Sequence, residues 1–494
     1  RRGPAGVVAC AAPPGRRDSR DRRDRRARRA PVTAAAWRRE AAALGALLVL
    51  FAASRAAVSG LGVSPDPTAF DGLWQNLPLE ALRTDYWGAL AGLRSQPPLW
   101  NALVGAIARA CGGDLWCAAS AMQAGFMALT LVAALALRAT LGLAGARPWL
   151  AWGAAWLLAL SPSAAFFELF PLYPQPTMAL AALAGLALAG LARVSTGDDD
   201  GRGLRRLAGL YAAMTALCLT WSLFHPAFLP LAALAAALAG GGPRRLLGGP
   251  ALRPAGLALL AGFTLLAALP AMRNQAEHGL FANGTWGGMN LAQTVPFLPP
   301  ETRRSCEFSA VIERLNRAHP GLEAKALHLP EAAEISRECL DRAVGAILTH
   351  PWGWLRGRLA MAELSHRLWP YEYVQYRPLG WERLPIPDAA RAQDPAGGGV
   401  LNMSAALLGG WPTLGWYALI AFGLAWAFAS GGFGPAFGLA AALSLLVVGE
   451  EGMAHLFNGA EQARMRWTVE PLILALAALV AEAWLRRRRD GRSG

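Results

Sequence analysis

Ala41-Ala-Ala-Leu-Gly-Ala-Leu-Leu-Val-Leu-Phe51-Ala-Ala-Ser-Arg55-Ala-Ala-Val-Ser-Gly60 is an almost unbroken apolar run with one arginine near its far end. A helix needs roughly 17–25 mostly apolar residues to cross the hydrocarbon of a bilayer, and this run is long enough. Runs of the same character recur at 118–137, 149–163, 175–192, 207–224, 226–240, 254–271, 411–430, 433–449 and 468–485. The chain has 494 residues, is 54% hydrophobic and has a positive mean hydropathy, a composition unlike that of a soluble domain. The expected fold is an all-α polytopic membrane protein of about ten transmembrane helices.

The formal charge of +14 invites a nucleic-acid partner, but the basic residues sit where a membrane topology puts them. Arginine clusters at 16–29, 193–206, 244–253 and 486–489 alternate with the apolar runs. Short cytoplasmic loops collect positive charge, so both termini and these loops fall on the cytoplasmic side, and no nucleic acid is needed to explain them. Lys325 is the only lysine among the 47 basic residues, which reflects codon composition rather than topology. Residues 1–40 are rich in Arg, Ala, Asp, Pro and Gly and predict a disordered basic cytoplasmic tail. They lack the short apolar core and cleavage site of a signal peptide.

Arg138 and Arg147 placed inside require 97–112 to remain outside. Gln96-Pro97-Pro98-Leu99-Trp100-Asn101 then begins a helix lying on the membrane surface, with proline in its first turn. The membrane module covers 41–272, with outer loops at 63–117 and 163–174 and a further turn at His225-Pro226. Hydropathy falls over 273–405, where Glu307 to Ala318 and Glu331 to Leu348 read as helices, so a mostly helical extracytoplasmic domain is expected there. Spans resume over 406–485 and end in a basic cytoplasmic tail at 486–494. The pairs Cys306/Cys339 and Cys111/Cys117 lie outside the cytoplasm, where they are free to oxidise or to stay reduced. Cys218 falls in a span as packing, and no zinc-ligand spacing is present.

On this topology Asp66, Asp71, Glu80, Asp85 and Glu168 share one side of the membrane. A carboxylate beside apolar surface is poised to take a proton from a hydroxyl, and Asp71 and Glu168 are flanked by aromatic and apolar neighbours. The alternative is that such acids are solvated or cap short helices. Arg55 lies deep in the first run, where a charge costs at least ~2.5 kcal/mol, so it either snorkels outward or pairs with an acid or a lipid phosphate. Near the last run, Glu461-Gln-Ala-Arg464-Met-Arg466 places guanidinium forks on the outer side, suited to a phosphate or to anchoring on headgroups. His225 either holds a phosphate, orients a sugar or caps a span end. In Phe281-Ala-Asn283-Gly-Thr-Trp286-Gly-Gly-Met-Asn290, glycines allow close backbone approach and Trp286 offers either a sugar-stacking ring or an interfacial anchor.

These residues resemble the GT-C superfamily of membrane glycosyltransferases, which includes protein O-mannosyltransferases using dolichyl phosphate mannose and aminoarabinose transferases. The family has an acidic motif after its first span, a His-Pro-Pro-Leu element about two dozen residues later, and a second acid in the next outer loop. Here Asp71 precedes Gln96-Pro97-Pro98-Leu99 by a similar interval, and Glu168 holds the second-loop position. Gly72 stands where the family has a further acid, which leaves Asp85 as the alternative base, and Gln96 stands in place of the histidine. The resemblance implies transfer of a sugar from a polyprenyl-phosphate donor to a lipid, glycan or protein acceptor, with inversion, on the outer face of a bacterial inner membrane or in the endoplasmic reticulum. It assigns Asp71, Asp85 and Glu168 to catalysis, and Arg55, Gln96, His225, Trp286, Glu461, Arg464 and Arg466 to substrate binding. No nucleotide-binding glycine loop is visible; a divalent cation is compatible with the reading as a cofactor, although no complete ligand set stands out. A transporter or flippase, or a non-catalytic assembly factor with this fold, is the competing expectation.

Overall fold

The computed structural model describes residues 34–60, 62–65, 67–194, 200–241, 250–365, 411–433, 436–457 and 462–490. Every regular element among them is helical. The chain divides into two units, 1–52 and 53–494; the described part of the first is helical, and the second holds the packed bundle. Helix α1 is Ala34–Gly60, α2 Pro98–Ala110, α3 Leu115–Leu143, α4 Pro148–Leu160, α5 Pro162–Leu169, α6 Pro174–Arg193, α7 Asp200–Thr220, α8 Phe228–Gly241 and α9 Pro254–His278. Then come α10 Gly287–Gln293, α11 Phe308–Ala318, α12 Pro330–Thr349, α13 Pro351–Ser365, α14 Trp411–Ala429, α15 Phe437–Phe457 and α16 Gln462–Asp490.

Each of the ten apolar runs carries a helix, but six helices among the described residues are individually long and apolar enough to cross a membrane: α1, α3, α6, α9, α15 and α16. A seventh is obtained if α4 and α5, bent by 44° at their break, count as one. Helix α8 has only 14 residues, and α7 carries Arg202, Arg205 and Arg206 in its first half. Apolarity and length alone therefore give fewer crossings than the ten expected.

The expected outer loop at 163–174 takes a different form. A proline at 162 has no N–H to give the α4 ladder, and α4 ends at Leu160. The Ser161 side chain then accepts from the Ala164 N–H and starts α5. Residues 163–173 are buried throughout. The stretch expected as the second outer loop is thus a short helix, Pro162–Leu169, and the residues after it, packed into the bundle.

Helix α6 is the hub: 67% of its apolar window is buried, against 22% for α9. It packs on α3, α7, α8, α15 and α16. Ala179, Ala182, Gly185, Ala189 and Gly190 are buried along it, and such small side chains let helix backbones approach closely.

The 62–97 loop, expected as the first outer loop, folds into short helices at Leu79–Thr84 and Tyr86–Gly92 and is followed by α2, which Pro98 opens as expected. Between α9 and α13, Trp286, Met289, Leu291, Val295, Val311, Leu315, Leu327 and Ile335 form a core of their own. The expected helices at 307–318 and 331–348 are α11 and α12, shifted by a residue. Gly288 lets α10 lie against α12, because a Cβ there would meet the Ser336 carbonyl oxygen at 1.8 Å. Cys306–Cys339 and Cys111–Cys117 are both disulfides, and Cys218 is a buried free thiol.

The two bridges close loops of different length, 33 and 6 residues of separation. Loop-closure entropy predicts that Cys306→Ser with Cys339→Ser lowers stability by about 3–4 kcal/mol, against about 2 kcal/mol for Cys111→Ser with Cys117→Ser. Thermal unfolding of the two double variants in detergent checks this order.

Candidate functional site

The chemistry-bearing residues fall into two layers joined by aromatic rings. In the inner layer, Arg55 and Glu168 form a buried two-pronged ion pair. The Arg55 Nε donates to Glu168 Oε2 at 2.6 Å and its Nη2 to Oε1 at 2.7 Å. The same Nη2 reaches the Ala159 carbonyl at 2.8 Å, and Nη1 donates to Ser54 Oγ at 2.9 Å. The α4–α5 break delivers both the free carbonyl and the acid, since Ala159 is at the end of α4 and Glu168 is on α5.

The network continues across the bundle. The Thr130 hydroxyl on α3 donates to Glu168 Oε1 at 2.6 Å and accepts in turn from the Gln175 amide on α6. Trp467 on α16 donates its indole N–H to Gln175 Oε1 at 2.9 Å, and the Thr177 and Thr468 hydroxyls meet at 3.0 Å. One carboxylate thus ties the Arg55 end of α1 to α3, α5, α6 and α16. Thr130 and Gln175 were missed from the sequence, although a polar side chain inside an otherwise apolar run was the available signal.

Above this lies a ring layer. Trp100 sits between Phe126, with centroids 6.2 Å apart, and Tyr173 at 6.1 Å, and Tyr173 packs on Trp221 at 4.7 Å. The Trp100 N–H donates to Asn76 Oδ1 at 2.7 Å.

The second layer joins the 62–97 loop to the 279–365 segment. Lys325 donates its ammonium to the carbonyls of Leu73 and Asn76, both at 2.9 Å. His328 Nε2 lies 3.1 Å from the Asn76 carbonyl, and its Nδ1 meets Ser95 Oγ. A carbonyl only accepts, so Nε2 carries the proton and the Ser95 hydroxyl donates to Nδ1. Burial holds the His328 pKa down to about 4, helped by the neighbouring Lys325 charge. Burial likewise lowers Lys325 to about 8, against the opposing pull of Asp71. Gly284 completes the joint, since a Cβ there would lie 2.5 Å from the Ser95 carbonyl oxygen and 3.0 Å from Ser222 Cβ. Arg94 and Glu277 form an ion pair alongside it.

The sequence candidates separate by environment. Asp71 is exposed on a helical turn at 69–72, with Oδ1 accepting from the Leu79 N–H at 3.2 Å. Asp85 caps the Tyr86–Gly92 helix through the Gly88 N–H, and exposed Glu80 is paired with Arg83 at 2.8 Å. Gln96 is buried beneath the outer loop. His225 lies between the Phe281 carbonyl, 3.4 Å from Nε2, and the Ala227 N–H, which donates to Nδ1 at 3.3 Å. Trp286 is buried at 5% exposure and donates to the Leu327 carbonyl at 3.0 Å, so its ring is core rather than an open stacking platform.

Arg466 is buried, 3.5 Å from Glu470, and Glu450 on α15 is buried with no hydrogen-bond partner to either oxygen among the described residues. Asp66, Glu461 and the side chain of Arg464 lie outside the described residues. No group of His, Cys, Asp and Glu among the described residues has the geometry to hold a metal ion.

Comparison of the chain with protein-family models, with curated proteins and with solved structures gives no match.

Removing one member of a buried ion pair strands the other charge. Glu168→Leu is expected to cost about 3–5 kcal/mol, while Arg55→Met combined with Glu168→Leu recovers most of that loss. Thermal stability of the three variants in detergent checks the reversal.

The His328 folded pKa lies below the ordinary 6.5, so the neutral ring favours the assembled joint and protonation favours its opening. That contribution is complete above about pH 6.5 and is lost as pH falls towards 4, a change of up to about 3 kcal/mol. A pH series of unfolding temperatures should show an acid limb that His328→Gln flattens.

Proposed function

We propose that this protein is a polytopic membrane glycosyltransferase of the GT-C type, transferring a sugar from a polyprenyl-phosphate donor to an acceptor on the outer or lumenal face. The observation that carries the reading is the position of Asp71: like Asp85 it is exposed and accepts from one backbone N–H, but it also lies within electrostatic reach of Lys325, at the joint between the 62–97 loop and the 279–365 segment, while Glu80 is taken up in an ion pair. In this reading the ten helical runs all cross the membrane, both termini are cytoplasmic, and 273–405 lies outside. The two disulfides are consistent with an oxidising outer compartment.

Asp71 acts as the base. It takes the proton of the acceptor hydroxyl as that oxygen bonds the anomeric carbon from the face opposite the phosphate. The bond from that carbon to the phosphate oxygen breaks, the lipid phosphate leaves with the electron pair, and configuration inverts. Arg466, with Arg464 and Glu461 on the same stretch, is assigned to the leaving phosphate, where guanidinium stabilises developing charge. Glu168 and Arg55 neutralise each other and act as positioning residues. Gln96, His225 and Trp286 shape the acceptor side through the loops they brace.

The test is reconstitution with a panel of polyprenyl-phosphate sugars, following sugar release and transfer. Asp71→Asn should lower turnover by about 10²- to 10⁴-fold, the usual worth of a general base. Asp85→Asn should retain activity, because asparagine caps a helix as well as aspartate does. Full activity of Asp71→Asn with loss in Asp85→Asn would reassign the base. Solute movement with no donor consumed would replace the transferase by a transporter.

A further inference from the structure

The exposed face of α12 changes character along its length. Its first three and a half turns present Glu334, Arg337, Glu338, Asp341 and Arg342 to solvent. Over the last turns three large apolar side chains are exposed, Val344 at 39%, Leu348 at 75% and, just into α13, Trp352 at 78%, with Thr349 and His350 exposed between them and bonded to each other. Glu334 and Leu348 are about 20 Å apart along the axis at ~1.5 Å per residue, so the switch is a property of one end of the helix. Immediately after this corner α13 packs against α15 and α16, two of the helices suited to crossing a membrane. The apolar patch therefore adjoins the lipid-facing surface, and Arg356 follows one turn beyond Trp352, also exposed. Tryptophan next to arginine at such a level matches the headgroup region, where an amphipathic ring and a cation are both favoured.

We infer that the α12–α13 corner is a membrane-insertion element: Val344, Leu348 and Trp352 enter the outer leaflet, Arg356 sits at the phosphates, and the charged start of α12 stays in water. It rests on the reading of the protein as a polytopic membrane protein, and is independent of the transferase chemistry. The corner holds one end of the 279–365 segment at a fixed height, while Lys325 and His328 hold its other side on the first outer loop.

Single cysteines at Leu348, Trp352 and Glu334, introduced into a Cys10→Ser, Cys218→Ser background with both disulfides intact, test this in the full chain. Leu265→Cys, on the exposed side of α9, is the reference for lipid. Each is labelled with a nitroxide in phosphatidylcholine/phosphatidylglycerol vesicles, and collisions with oxygen and with a water-soluble nickel chelate are compared. The expected result is several-fold less nickel contact at 348 and 352 than at 334, with oxygen contact approaching that at 265. Nickel contact at 348 and 352 equal to that at 334, with 265 still in lipid, would overturn the inference. Protection of 348 and 352 from both reagents would overturn it as well, showing that another part of this chain or a second copy covers the corner. An aqueous signal at 265 would instead remove the membrane reading itself.

Discussion

The Glu168 carboxylate is the constraint on which the helix arrangement depends. Two nitrogens of Arg55 and the Thr130 hydroxyl converge on it, and Gln175 and Trp467 extend the chain of donors to α6 and α16. In a medium that offers no water, each of these groups would otherwise be left unpaired at a cost of several kcal/mol. The network therefore specifies which helix ends meet. It also explains the break at Ser161-Pro162, which frees the Ala159 carbonyl for Arg55 and lets α5 turn the acid inward.

A second constraint acts where the 62–97 loop meets the 279–365 segment, two stretches distant in the chain that share polar groups. Asn76 offers its carbonyl to both Lys325 and His328 and its side-chain oxygen to Trp100. The same residue thus connects the outer segment to the ring layer that lies over the Glu168 network. A ligand reaching Asp71 would lie against this joint, where the 279–365 segment meets the loop that carries Asp71.

Several features were legible in the sequence because their causes are local. Proline at the first helical position marks α2, and caps and charges mark the stretches that become α11 and α12. Arg55 was legible as a charge needing a partner, since an isolated guanidinium in an apolar run is too expensive to leave bare. Its choice of Glu168 was open, because 113 residues separate them and only packing decides which acid comes near. Trp286 and Asp85 show the opposite limit. An aromatic in a glycine-rich loop and an acid in an outer loop carry the same local signal whether they face a ligand, a core or a helix N-terminus.

Although α1 begins at Ala34, inside the stretch 1–40 that the composition gave as a disordered tail, an all-helical, membrane-compatible chain, the proline start of α2 and two cysteine pairs able to oxidise could be read from the residues in order. These follow from apolar run length, backbone chemistry and residue type, which act over a few residues. Three-dimensional packing was needed to bury 163–173 instead of leaving a loop, to give Glu168 to Arg55, and to close Lys325 and His328 over Asn76. Those outcomes depend on long-range burial, where an unpaired polar group is costly enough that its partner, and not its neighbours in sequence, sets its place.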